Sequence, residues 1–243
     1  MSRLAIPATI DASPAAARPL LEAVHKQLGV VPNLYRLVGT SPAALEGLLG
    51  LGGALARGAF DARTRERLAL VVAEQDACDY CLSAHTYLGK QLARLGDDEL
   101  TAARDARADD AKLAAALRFA RAVVQDRGHV SAAALADARG AGWSDGALVE
   151  IVAHVALNVL TNYVNSVAET EVDFPRVAAR AAYDGLCAVA MAAGERVPAD
   201  LTSISYHAGR TFRFSSPDAK ARFDAAPAEV AARADARWAG ARG

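Results

Sequence analysis

The sequence predicts an all-α bundle over most of its length, followed by a small α+β module. Ala, Leu, Arg and Glu, all strong helix formers, dominate up to about residue 192. Helix-start signals recur through that stretch, each followed by apolar residues at helical spacing. After Gly194 the spacing changes to the two-residue alternation of strands. The expected division is a helical domain over 1–193 and a separate module over 194–243.

The elements follow in order. Ser13-Pro14 supplies a cap and then Pro at the first helical position, and Leu20, Leu21, Val24 and Leu28 continue at helical spacing. Pro32 interrupts, leaving a short helix around 33–38. Ser41-Pro42 starts the next, with Leu45, Leu48, Leu49 and Leu55 on its face. Asp61 caps a helix carrying Leu68, Leu70, Val71 and Val72. Tyr80 to Leu95 reads as another, closed by Gly96, and Asp97, Asp109, Ser131 and Ser144 mark further starts. The longest helix runs from Ser144 to Thr170. Leu148, Ile151, Val152, Val155, Leu157, Val159 and Leu160 make it apolar around much of its circumference, interrupted by Asn158, Asn162 and Asn165. A helix of that kind is expected to be central. Pro175 starts one more, to about Met191. In the module, Ile204 and Tyr206, then Phe212 and Phe214, alternate with polar neighbours on either side of His207-Ala208-Gly209-Arg210, a hairpin signal. Tyr206, Phe212 and Phe214 are the expected buried stripe. Ser216-Pro217 and Pro227 start two short helices.

Composition narrows the function classes. Lys and Arg total 27 against 28 Asp and Glu, for a net charge of -1, which argues against a nucleic-acid binder held by bulk positive charge. Hydrophobic residues make up 53%, but Ala alone supplies 59 of 243 positions. No stretch reaches the roughly 18 uninterrupted apolar residues of a spanning helix, so no membrane association is expected. The first residues lack the apolar core of a signal peptide, which makes the cytoplasm the default location. Ala-rich helices bury little area each, so subunit contacts are expected to complete their faces in a closed homo-oligomer.

Cysteines stand at 78, 81 and 187, an odd count with one close pair and not a secreted disulfide framework. Cys187, alone on an Ala-rich helix, reads as a small core residue. Cys78, Cys81 and His85 are different. At 100° per residue they fall within an arc of about 60° on one helical face. Thiols in a first helical turn sit where unpaired backbone N–H groups favour the thiolate. His85, four residues past Cys81, is in position to take a proton. A thiolate attacks a peroxide oxygen, and a second thiol then resolves the sulfenic acid. The spacing therefore reads as nucleophile, resolving thiol and base. A zinc site would use the same three side chains and needs a fourth ligand, for which His154 is the best-placed His. No metal or cofactor is expected.

The run Arg65-Glu66-Arg67-Leu68-Ala69-Leu70-Val71-Val72-Ala73-Glu74, with Cys-Asp-Tyr-Cys-Leu-Ser-Ala-His after it, strongly resembles the alkyl hydroperoxidase D-like branch of the carboxymuconolactone decarboxylase family. So do Gly29 to Arg36, Ser41 to Glu46, Ala156 to Asn165 and Asp173-Phe174-Pro175. The resemblance covers roughly residues 5 to 180. It implies an all-helical fold assembled as trimers or hexamers. It implies reduction of a peroxide substrate, with electrons from a protein or small-molecule thiol. It also implies that Cys81 is the peroxidatic thiol, Cys78 resolves, His85 is the base and Glu66 orients or activates it. On residue type alone, Glu66 reads as a helix charge paired with a nearby Arg.

One position departs from the family. The hydroperoxidases have His immediately before the second Cys, and here Tyr80 stands there. A phenol with pKa near 10 is no base at neutral pH, although it can hydrogen-bond. Glu74 reads as helix surface. The decarboxylase branch does not depend on a Cys-x-x-Cys pair and ranks lower. A disulfide-exchange partner without peroxide turnover, and a non-enzymatic oligomeric scaffold, are the remaining alternatives.

Residues 205–216 and 221–227 resemble a YHS domain, a hairpin-plus-helix module that commonly binds metal through cysteines. Ser215 and Ser216 sit near where a ligand belongs, and serine is a poor ligand for soft metals. The resemblance therefore implies a degenerate module with no metal site, and His207 reads as a solvent-facing turn residue.

Overall fold

The computed structural model describes residues 2–208 and 210–240. The chain divides into two compact units, Met1–Val177 and Ala178–Gly243.

The first unit is helical. A 3-10 turn leads into α1 (Arg18–Leu28), followed by α2 (Asn33–Val38), α3 (Pro42–Leu55), α4 (Ala62–Gln75) and α5 (Asp79–Gln91). Next come α6 (Asp97–Arg104), α7 (Ala111–Gln125), α8 (Ala132–Gly140) and α9 (Asp145–Ala168). Ser41, Asp61, Ser131 and Ser144 cap α3, α4, α8 and α9, each side chain accepting the N–H of the third helical residue. The start expected at Asp109 lies one residue on, at Asp110, whose carboxylate accepts from Leu113 N at 2.7 Å.

The centre of this unit is α4, not α9. Leu68 to Ala73 are buried on every side, and α4 packs against α5, α6, α7 and α9. The longer α9 buries one face, apolar at Leu148, Ile151 and Val155 in its first half and polar in its second. Asn158, Asn162 and Asn165 lie in the interior, while Val149, Leu160, Tyr163 and Val167 are exposed. By length and hydropathy α9 could cross a bilayer, but its buried face packs against α3, α4, α5 and α7. That marks it as a helix of this bundle.

The second unit begins well before residue 194. The single helix expected from Pro175 to Met191 does not form. Tyr183 and Asp184 adopt left-handed backbone (φ 60 and 54), as does Gly185, and three such residues in a row end any right-handed helix. What remains is a short 3-10 turn over Ala182–Gly185 and α10 (Ala188–Ala193). Cys187, Ala188, Val189 and Met191 share a core with Phe212, Phe214 and Phe223, so 178–193 belong with the module and not with the bundle.

The hairpin pairs β1 (Asp200–His207) with β2 (Arg210–Phe214), antiparallel, and α11 (Pro217–Ala225) and α12 (Pro227–Gly240) follow. Gly209 of the expected turn lies outside the described residues. Tyr206 is not part of the buried stripe. It pairs with Thr211, whereas Phe212 pairs with Ser205, so Tyr206 and Phe212 point to opposite faces, and Tyr206 is exposed. Phe223 of α11 takes its place, 4.7 Å from Phe212 and 5.1 Å from Phe214 between ring centroids. His207 is also more enclosed than a solvent-facing turn residue, its ring edge lying against Phe223. Ser216 caps α11 through Ala219 N. Cys187 is buried, as expected of a core residue. Burial pushes its thiol up, but hydrogen bonds from Ser215 and from the N–H groups of Ala190 and Val189 bring it below the ordinary range.

Candidate active site

The link between α4 and α5 is three residues long. Asp76 ends α4, Ala77 takes left-handed backbone (φ 53), and Cys78 is the N-cap of α5. That reversal sets Cys78 at the cap and Cys81 within the first turn, where backbone N–H groups are unpaired. Cys78 Sγ accepts from Cys81 N at 3.4 Å. Both thiols are free and nearly inaccessible, at 3% and 2% exposed.

Three elements converge on Cys81. From its own helix, His85 follows one turn on. From α4, Glu66 Oε2 lies 2.8 Å from His85 Nδ1. From α9, Asn165 Nδ2 donates to Cys81 Sγ at 3.3 Å. Glu66 thus pairs with His85 and not with an Arg.

The electrostatics favour one thiolate. Burial pushes the Cys81 thiol up, but the hydrogen bond from Cys78, the charge of His85 and the donors Asn165 and Thr161 outweigh it, leaving Cys81 below the ordinary thiol range. Cys78 goes the opposite way. Its hydrogen bond to Cys81 and its burial hold it well above that range. Burial lowers His85, but the charge and hydrogen bond of Glu66, together with Cys81, carry it above the usual imidazole value. Thiolate and imidazolium therefore stabilise one another.

Cys81 and His85 line a cavity of about 740 Å³, walled by Leu34, Tyr35, Tyr87, Leu88 and Phe174 among others. Cys78 is not among its lining residues. Burial, Glu66 and Cys81 together raise the Tyr35 phenol, so Tyr35 presents its neutral form.

Tyr80 has a different task. Its phenol donates to Asp173 Oδ1 at 2.8 Å and accepts from Leu34 N at 3.1 Å, while Asp173 Oδ2 accepts from Asn33 N at 2.7 Å. Burial holds this phenol far above its ordinary value. Tyr80 therefore clamps the start of α2 and the Asp173-Phe174 segment over the cavity, and takes no part as a base. Tyr80→Phe should lower stability by about 1–3 kcal/mol, since a buried N–H and a carboxylate oxygen each lose a partner, as urea unfolding would read.

The other sequence candidates also resolve. Glu74 is not helix surface: its side chain is 8% exposed and accepts from Arg104 Nε at 2.6 Å. His154 is packed edge-on against Phe60, with Glu150 beside it. Among the described residues, no group of three or more His, Cys, Asp and Glu is arranged to hold a metal. Asp173, Asn165 and Asn162 contribute to the site and are absent from the sequence-based candidates.

Residues 42–126, which include Glu66, both thiols and His85, match the family model described as Carboxymuconolactone decarboxylase family. A solved structure described as an alkylhydroperoxidase AhpD core, an uncharacterized peroxidase-related protein from Ralstonia eutropha JMP134, superposes with a TM-score of 0.63 at 22% identity. It covers 71% of this chain and 92% of that one. The helical unit has an alkyl hydroperoxidase D-like fold. An uncharacterized peroxidase-related protein from Silicibacter sp. TM1040 is similar at a TM-score of 0.60 and 25% identity, over 70% of this chain and 91% of its own. A variant of the debrominase Bmp8, in complex with 2,3,4-tribromopyrrole, gives 0.60 and 21%, over 71% and 93%. The fold therefore hosts more than one chemistry, and the site decides between them. No curated protein matches the chain.

Proposed function

We propose that the protein is a thiol-dependent peroxidase that reduces apolar organic hydroperoxides at Cys81. Support comes from one observation: Cys81 lines the apolar cavity beside His85, while Cys78 lies outside the lining. The Cys81 thiolate attacks the terminal peroxide oxygen. An S–O bond forms, the O–O bond breaks, and the departing alkoxide takes the His85 proton. Cys78 then attacks the sulfenic sulfur, closing the disulfide and expelling hydroxide, which leaves as water. A small dithiol entering the cavity restores both thiols. Disulfide exchange with a large partner fits less well, because neither cysteine is more than 3% exposed.

The test is stopped-flow mixing of reduced protein with cumene hydroperoxide, tert-butyl hydroperoxide and hydrogen peroxide, reading thiol loss. Cumene hydroperoxide should react at least ~10-fold faster than hydrogen peroxide, since burying its ring in the cavity is worth more than that factor. Thiol loss no faster than that of free cysteine with every peroxide would overturn the proposal.

A further inference from the structure

The turn joining α4 to α5 holds a carboxylate that the cycle above leaves unused. Asp76 Oδ2 accepts from Asn162 Nδ2 at 2.8 Å. Asn162 is fully buried, and its Oδ1 has no hydrogen-bond partner. Three residues on, Asn165 donates to Cys81. One face of α9 therefore reaches Cys81 directly and, through Asp76, the turn that leads into Cys78. Among the described residues, Asp76 pairs with no basic side chain.

We propose that Asp76 takes the proton from Cys78 when the disulfide closes and returns it when the disulfide is reduced, across one bridging water and held in place by Asn162. The proposal rests on the peroxidase reading for its first half only. On closure, the Cys78 sulfur bonds to the Cys81 sulfenic sulfur as its proton passes to the Asp76 carboxylate. The S–O bond breaks, and the hydroxide is protonated by His85, recharged from solvent. On reduction, a dithiol in the cavity attacks the Cys81 sulfur, and Cys78 leaves with the electron pair and takes the proton from Asp76. The second donor thiol then frees Cys81.

Two observations favour this role. Cys78 needs a base, because its hydrogen bond to Cys81 and its burial keep it protonated well above the ordinary thiol range. Asn162 is prepared for both forms of Asp76. Its N–H holds the carboxylate, and its unused Oδ1 is the acceptor that a protonated carboxyl would donate to, completing a two-bond acid–amide pair. Burial pushes Asp76 up to about 6, outweighing the lowering by Asn162, so it is mostly ionised at neutral pH and readily reprotonated. The groups that interact with it are Asn162 from α9, by its hydrogen bond, and Cys78 at the start of α5, whose thiol its charge raises. From α7, Gln125 reaches Gln75 instead.

Asp76→Asn is isosteric and mimics the protonated carboxyl. Reduced protein would be mixed with cumene hydroperoxide and quenched at intervals with dimedone, with sulfenic acid and disulfide read by mass spectrometry. In the Asp76→Asn protein, sulfenic acid should form at Cys81 as in wild type, while disulfide closure slows ~10-fold or more at pH 7.5. The wild-type closure rate should rise through pH of about 6 and level off, and Asp76→Asn should lose that inflection. Closure in Asp76→Asn at the wild-type rate with the wild-type pH profile would overturn the proposal. A second measurement keeps it apart from the peroxidase reading. Both proteins, oxidised with diamide, would be reduced with dithiothreitol, and Asp76→Asn should again be slower. If wild type ignores every peroxide but this difference persists, the peroxidase reading fails and the role of Asp76 stands. Equal reduction rates would remove that role.

Discussion

Cys81→Ser should abolish hydroperoxide consumption, a loss of ~10³-fold or more that leaves only the background reaction. A serine hydroxyl carries no appreciable anion at neutral pH, and Cys78 cannot substitute for the lost thiolate. Cys78 lies outside the cavity lining, and its hydrogen bond and burial favour the protonated form. Cys78→Ser should behave quite differently. The first oxidation proceeds, because the cavity, His85 and Asn165 still act on Cys81, but the sulfenic acid persists for want of a partner. One dimedone adduct per chain at Cys81, with turnover lost, is the expected readout. Labelling of Cys78 in the Cys81→Ser protein at the wild-type rate would reverse the two roles.

Much of this site was legible because helical spacing is a strong constraint. Cys78, Cys81 and His85 share one face by arithmetic alone, and the structure sets Cys81 and His85 on one helix with Cys78 as its N-cap. Glu66 was a different matter. Nothing in its spacing distinguishes it from the Arg-paired charges beside it, and only the family resemblance singled it out. The asparagines of α9 show why hydrophobicity misleads. At 158, 162 and 165 they recur at helical spacing and form a stripe on one side of an otherwise apolar helix. A stripe that regular can face solvent or a polar interior, and α9 turns it inward against Asp76 and Cys81. Val149, Tyr163 and Val167 on the other side are left outward, while Leu148, Ile151 and Val155 continue the buried face toward the start of the helix. The misplaced boundary at 193 has a similar origin. Helix formers fill 178–193, but Tyr183 and Asp184 adopt left-handed backbone that their residue types do not announce. Tyr80 is the converse case: the departure from the family was visible, but the Asp173 and Leu34 partners that explain it lie far away in sequence.

Glu66→Gln should raise the apparent pKa of the Cys81 thiol, which lowers the thiolate fraction near neutral pH and slows alkylation there by about a few-fold. The sign follows from the order of the couplings. Burial opposes the charged imidazole of His85, and the Glu66 carboxylate, 2.8 Å away, more than compensates. The imidazolium so maintained helps hold the Cys81 thiol below its ordinary range. A neutral amide at 66 retains a hydrogen-bonding group but loses the charge, so His85 releases its proton at lower pH and Cys81 keeps its own to higher pH. His85→Ala removes the cation itself and should raise the apparent value further. Thiol and imidazole titrate as a pair, so the observable is one macroscopic profile, the iodoacetamide alkylation rate against pH. Tyr80→Phe serves as the control. Its phenol is committed to Asp173 and Leu34, so removing it should leave that profile in place. A Glu66→Gln profile superimposable on wild type would take Glu66 out of the relay and leave its contact with His85 a matter of packing alone.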